Sequence, residues 1–140
     1  MKTLIYQHDG KVHQMCALDA SAARLAPAGA ELIEVEAGTS PCAQDPQSVF
    51  FDAWTLIAGR VVLDLPKAAN IRLEQIRQVR DNRLKALDTE QIIALGKGDA
   101  TAVAAVEARK QVLRDIPQRL DFSKAKNAYD LQHIVPPALV

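Results

Sequence analysis

The spacing of apolar and polar residues changes character twice along this chain. In the first sixty-five residues apolar positions come in short runs of period two, the signature of strands. Thr3–Gln7 predicts a strand, Asp9-Gly10 a tight turn, and Lys11–Cys16 the alternating return strand of a hairpin. Ser21–Leu25 has room for one helical turn before Pro27. Glu31–Glu36 predicts a further strand with Ile33 and Val35 on one face, although Leu32 breaks the alternation. Residues 37–47 are turn-formers almost throughout and predict a loop. Ser48–Trp54 and Thr55–Ala58 follow, Gly59-Arg60 punctuates, and Val61–Asp64 closes a second hairpin. The expectation for residues 1–65 is a small β-rich module of four or five short strands.

Pro66 marks the change to a helical period, since proline suits a first helical turn whose N–H would be unpaired anyway. Leu73, Ile76, Val79 or Arg80, Arg83 or Leu84, and Leu87 recur at three- and four-residue steps and predict a helix over 66–87. Asp88 and Gln91 have capping-box spacing, which predicts a break and a short helix over 89–95 carrying Ile92, Ile93 and Leu95. Gly96-Lys97-Gly98 ends it. Asp99 or Thr101 caps a helix over 101–116, with Val103, Val106, Ala108 or Lys110, Leu113 and Ile116 inward, and Pro117 stops it. Paired antiparallel, these helices are expected to bury Ile76, Leu84, Leu87, Ile92, Leu95, Val106 and Leu113 together.

After Pro117 no period is sustained. Pro136-Pro137 favours extended backbone, and Leu120, Phe122, Tyr129, Leu131, Ile134 and Leu139 are scattered anchors. Residues 118–140 are read as an extended arm that lies on its own domain or on a partner. The fold class is therefore α+β: a β-rich module (1–65), a helical hairpin (66–117) and a C-terminal arm.

Composition narrows the function. Hydrophobic residues make up 49% of the 140, enough for a core, while aromatics at 4% leave few rings for stacking on single-stranded nucleic acid. Seventeen basic residues balance seventeen acidic ones, so no overall charge draws the chain to a polyanion or an anionic membrane. The balance conceals a division. Residues 1–64 hold four basic against eight acidic residues, net −4, and the remainder thirteen against nine, net +4. Such halves can attract one another within a chain or between neighbours. Cys16 and Cys42 do not make a disulfide framework, and a reducing cytosol is the expected site of synthesis. No apolar run approaches the roughly 18–20 residues that cross a bilayer, so membrane insertion is not expected.

Candidate chemistry is sparse. His8, His13 and Cys16 lie near one turn, but a metal site needs three or four converging ligands, and these read as polar strand positions. Cys42 has no basic residue near in sequence, and His13 and Cys16, three apart, face opposite sides of a strand, so neither thiol is an activated nucleophile. Gly96-Lys97-Gly98-Asp99 lacks phosphate-loop spacing and reads as a turn between helices. Glu34 and Glu36 read as a solvated strand edge, and Arg72, Arg77, Arg80 and Arg83, interleaved with Glu74 and Asp81, as a solvated helix face. No catalytic residue, metal ligand or cofactor is expected.

Ile76-Arg-Gln-Val-Arg-Asp-Asn-Arg-Leu84, then Leu87-Asp88, then Ala108-Arg-Lys-Gln-Val-Leu-Arg-Asp-Ile-Pro117 resembles the helical segment of tailed-bacteriophage tail proteins, the tail assembly chaperone or tail-fibre-associated family. Leu113-Arg114-Asp115-Ile116-Pro117 is its most specific part; Thr89 stands where the family pattern has tryptophan. The resemblance covers residues 72–117. It implies a non-enzymatic virion protein of the tail tip, baseplate or fibre attachment, made in the host cytoplasm and present in multiples of three. The alternative it implies is an assembly chaperone absent from the finished particle; a small enzyme or regulator, metal-dependent in one version, is the third reading. Expected partners are other tail, baseplate or fibre proteins, not nucleic acid. The residues expected to meet them are Arg80, Arg83, Arg114, Asp115, Phe122, Tyr129, Leu131 and Ile134. Asp115, close to a helix C-terminus that disfavours negative charge, is expected to be balanced by Arg109 and Arg114 or by Arg80 and Arg83.

Overall fold

The structure, a computed structural model, describes residues 2–17 and 20–140; Met1, Leu18 and Asp19 of the expected β-rich module lie outside the described residues. The fold is α+β. Five strands, β1 (Lys2–His8), β2 (Lys11–Ala17), β3 (Leu32–Glu36), β4 (Trp54–Ile57) and β5 (Arg60–Leu63), precede α1 (Leu65–Gly96), α2 (Ala100–Arg114), α3 (Ile116–Arg119) and α4 (Ala128–Gln132). Short 3-10 turns occupy Ala20–Leu25, Phe51–Ala53 and Pro137–Leu139.

The chain forms two compact units, Met1–Ile71 with Ala125–Leu131, and Arg72–Lys124 with Gln132–Val140. The division thus falls inside α1 rather than at 65/66, and the expected arm is shared between the units.

In the first unit β1 is the central strand of an antiparallel sheet ordered β2-β1-β3, with Ile5 opposite both Gln14 and Ile33. Asp9 and Gly10 both take positive φ, as the Asp-Gly turn predicts. The β4–β5 hairpin turns one residue earlier than expected: Ala58 (φ 49°) and Gly59 (φ 74°) form the turn, and Arg60 already pairs with Ile57. Val61 and Leu63 are buried at alternate positions, whereas Thr3, Leu4 and Ile5 are buried in succession, so the central strand β1 is covered on both faces there; the largest fully buried side chains are Trp54 and Phe50.

In the second unit the hairpin is simpler than expected. α1 runs unbroken for 32 residues, and no interruption occurs at Leu87–Gln91. Capping-box residues start a helix only where the backbone has already left one; here Asp88 is used across the hairpin instead. Asp99 caps α2 as expected, accepting from the Ala102 N–H at 3.0 Å. α2 ends at Arg114 with Asp115 as its C-cap, two residues before the expected end, and Pro117 is the second residue of the single turn α3. The core gathers Ile76, Leu87, Val106, Leu113, Ile116 and Leu139, with Leu84, Leu120, Phe122 and Ala138 against it. Leu139 in that list corrects the picture of an extended arm. Residues 128–132 and 137–139 are helical turns, and Ala138 and Leu139 pack on the hairpin of their own chain.

Candidate functional site

The hairpin is braced by a polar ladder along its distal part. Lys110 Nζ reaches Asp88 Oδ1 at 2.5 Å and Gln91 Oε1 at 2.6 Å. Arg109 pairs with Glu90 at 2.8 Å, Gln91 Nε2 donates to Glu107 at 3.2 Å, and Arg114 pairs with Glu107 at 2.7 Å. The Arg114 hydrogen bond is the main cause holding the Glu107 carboxyl below its ordinary range. Lys110 fills an inward position of α2, as its period allowed; its stem is buried and its ammonium is met by two acceptors.

Beyond the ladder the two helices leave apolar surface uncovered. Ile92, Ile93 and Leu95 are 70%, 52% and 61% exposed. This corrects the expectation that Ile92 and Leu95 join the core. The turn of the hairpin is short, and the small Ala94 takes the buried position at the end of α1. Leu95 and Val103 line a hollow of about 530 Å³ beside them, rimmed by Gln91, Asp99 and Glu107.

The residues expected to meet a partner are placed as follows. Arg80 turns to its neighbour Asp81 at 2.7 Å. Arg83 donates to the main-chain oxygens of Ala138 (3.1 Å) and Leu139 (2.8 Å). Arg114 is held by Glu107. Asp115 accepts from Gln111 at 2.9 Å and faces Arg119 at 3.7 Å. Its charge is therefore balanced from its own side, not by Arg109, Arg114, Arg80 or Arg83. Phe122 packs on the hairpin core and Leu131 is buried. Ile134 is half-buried, and its carbonyl accepts from Arg72 Nη2 at 3.0 Å. Tyr129 is 66% exposed. Tyr129 and Leu131 belong to the first unit and the other six to the second. Several are spent within the chain.

Arg72 also donates to Gln75 at 3.2 Å. Its Nε is buried with no hydrogen-bond partner, and burial lowers the guanidinium's pKa. Sequence reasoning placed Arg72 on a solvated face. The signal against that reading lies sixty-two positions away, in the segment that covers it.

Among the described residues, the buried carboxylate of the first unit is Asp45. Asp45 accepts from the Val49 N–H at 3.1 Å, the Phe50 N–H at 2.7 Å and the Trp54 indole at 3.0 Å. All of its close donors are structural, and it knots the loop rather than facing a cleft. His8 and His13 have ring centres 6.3 Å apart, and His13 stacks on Tyr6. Both cysteines are free, Cys16 exposed and Cys42 buried. Among the described residues no three His, Cys, Asp or Glu side chains are grouped to hold a metal, and no helix is long and apolar enough to cross a membrane. No protein family, curated protein or solved structure matches this chain.

Proposed function

We propose that this chain is a non-enzymatic component of a tailed-bacteriophage tail, at the tip, baseplate or fibre attachment, and that it holds another tail polypeptide on the distal end of its helical hairpin. The observation that carries this reading is the run of exposed Ile92, Ile93 and Leu95 on a helix otherwise braced by ion pairs. Contiguous apolar surface in water is costly unless something covers it. The resemblance of residues 72–117 to tail proteins supplies the kind of partner: another tail, baseplate or fibre chain, in copies that are multiples of three.

The charged groups along the hairpin support a binding role over a reaction centre, because they satisfy one another instead of converging on a common point. Leu131 and Leu139 are buried within the chain, so they leave the partner contact to the distal hairpin. Mass spectrometry of purified particles tests the reading. Presence in finished virions is the expected result. A soluble complex with a fibre subunit in lysate, with none in particles, makes the chain an assembly chaperone instead. Absence from both overturns a tail role.

A further inference from the structure

Strand β3 is an edge of its sheet. In the order β2-β1-β3 it bonds to β1 on one side, and among the described residues no strand lies on the other. β2, the opposite edge, packs against β4 and against the 3-10 turns Ala20–Leu25 and Phe51–Ala53. The pairing of β3 with β1 runs without a bulge from Glu36 opposite Lys2 to Leu32 opposite Tyr6. Alternate residues of an antiparallel strand turn their N–H and C=O away from the neighbour they pair with. No proline interrupts that row along β3, so the edge can accept one more strand.

The side chains of β3 select the strand that fits. Leu32, Glu34 and Glu36 are exposed on one face, and Ile33 and Val35 are half-buried on the other. No lysine or arginine occurs between Arg24 and Arg60. Among the described residues Lys2 is the only cation paired with this edge, and it goes to Glu34 and not to Glu36, its partner in register. A second copy of β3 laid alongside with its centre matched, in either direction, sets Glu34 against Glu34, and like charges directly opposite oppose pairing. A strand with lysine or arginine at alternate positions meets Glu34 and Glu36 with opposite charge. Its intervening apolar residues continue the half-buried row of Ile33 and Val35.

We propose that β3 docks an extended segment of another protein whose residues alternate basic and apolar, added to this sheet as a fourth strand. Main-chain hydrogen bonds supply the hold, and the two glutamates supply the choice of partner. This surface belongs to the first unit and does not depend on the role given to the tip of the hairpin.

The test adds three end-blocked peptides to the full chain: Lys-Val-Lys-Val-Lys, its acidic counterpart Glu-Val-Glu-Val-Glu, and Val-Val-Lys-Lys-Lys, which keeps the charge but loses the alternation. Amide hydrogen exchange locates each one. The alternating basic peptide is expected to slow exchange along β3 and to bind about tenfold more tightly than either of the others. Glu34→Lys with Glu36→Lys is expected to turn the preference to the acidic peptide. No binding of the alternating basic peptide at millimolar concentration overturns the proposal. So does equal binding of Val-Val-Lys-Lys-Lys, slowed exchange on β2 in place of β3, or an unchanged preference in the folded variant. A protein that dimerises alone with the β3 amides protected makes a second copy the occupant and overturns it too. The comparison of peptides uses the unaltered chain, so it decides the matter even where the variant does not fold.

Discussion

Lys110 Nζ lies 2.5 Å from Asp88 Oδ1, although the lysine is 5% exposed and the aspartate stands largely in water. The two ends of this bond are therefore unequal. Removing the lysine charge leaves a carboxylate that rehydrates. Removing the carboxylate leaves a buried ammonium with Gln91 alone. Lys110→Met, which keeps the stem's packing, is expected to cost no more than about 1 kcal/mol, and Asp88→Ala about 1–3 kcal/mol. Urea unfolding of both variants checks the order; the reverse order would show that the pair is not what holds the lysine.

Asp45 is the corresponding feature of the first unit. Asp45→Ala strands three donors, two of them on Phe50 and Trp54, which are both fully buried. A loss of about 3–5 kcal/mol is expected. Trp54 is the chain's only tryptophan, so its fluorescence in a denaturant titration reports this unit directly.

Ala58 holds a positive φ that costs an alanine roughly 1 kcal/mol and an asparagine less. Ala58→Asn, giving an Asn-Gly turn, is expected to stabilise the β4–β5 hairpin by about 0.5–1 kcal/mol. An unchanged or lowered denaturation midpoint would count against a turn centred on Ala58-Gly59.

The distal apolar residues make a prediction of the opposite kind. Ile92→Ser with Ile93→Ser is expected to leave stability within about 1 kcal/mol, since both side chains are already exposed. Capture of tail proteins from infected-cell lysate, compared with the unaltered chain, should fall at least tenfold. Equal capture would remove this surface from the binding role.

Acid should loosen the hairpin ladder. Glu107 is held below its ordinary value near 4.5, chiefly by its bond to Arg114. A carboxylate with a lowered folded pKa contributes stability that is present above its unfolded pKa and lost as pH falls through the folded value. The stability difference between the unaltered chain and Glu107→Gln is therefore expected to shrink as pH drops below about 4.5. A difference that is constant between pH 6 and pH 3, on the order of the range over which carboxylates titrate, would contradict it.

Much of this fold could be read from residue spacing. Asp9-Gly10 gave its turn, Asp99 its cap, and Val106, Lys110, Leu113 and Ile116 their inward positions, because each rests on a few neighbouring residues. What escaped depends on distant partners. Asp88 looked like a helix start because Lys110 is twenty-two positions away. Ile92 and Leu95 looked like core because periodicity cannot say where a partner helix stops. Pro136 is extended as read, while Pro137 opens a 3-10 turn, and the bonds from Arg72 and Arg83 that seat this segment cross more than fifty positions. The site was less legible still: the eight residues expected at a partner surface were chosen for their charge or bulk, and Arg83, Phe122 and Leu131 turned out to have internal uses.

The Asp45 knot spans only nine positions, from the carboxylate to the indole it holds. Closing so small a loop sacrifices little chain entropy, and local contacts are the ones that form fastest. This stretch can therefore be in place before the three-stranded sheet has found its register, presenting β4 already shaped as a template on which β5 can zip up from the Ala58-Gly59 turn.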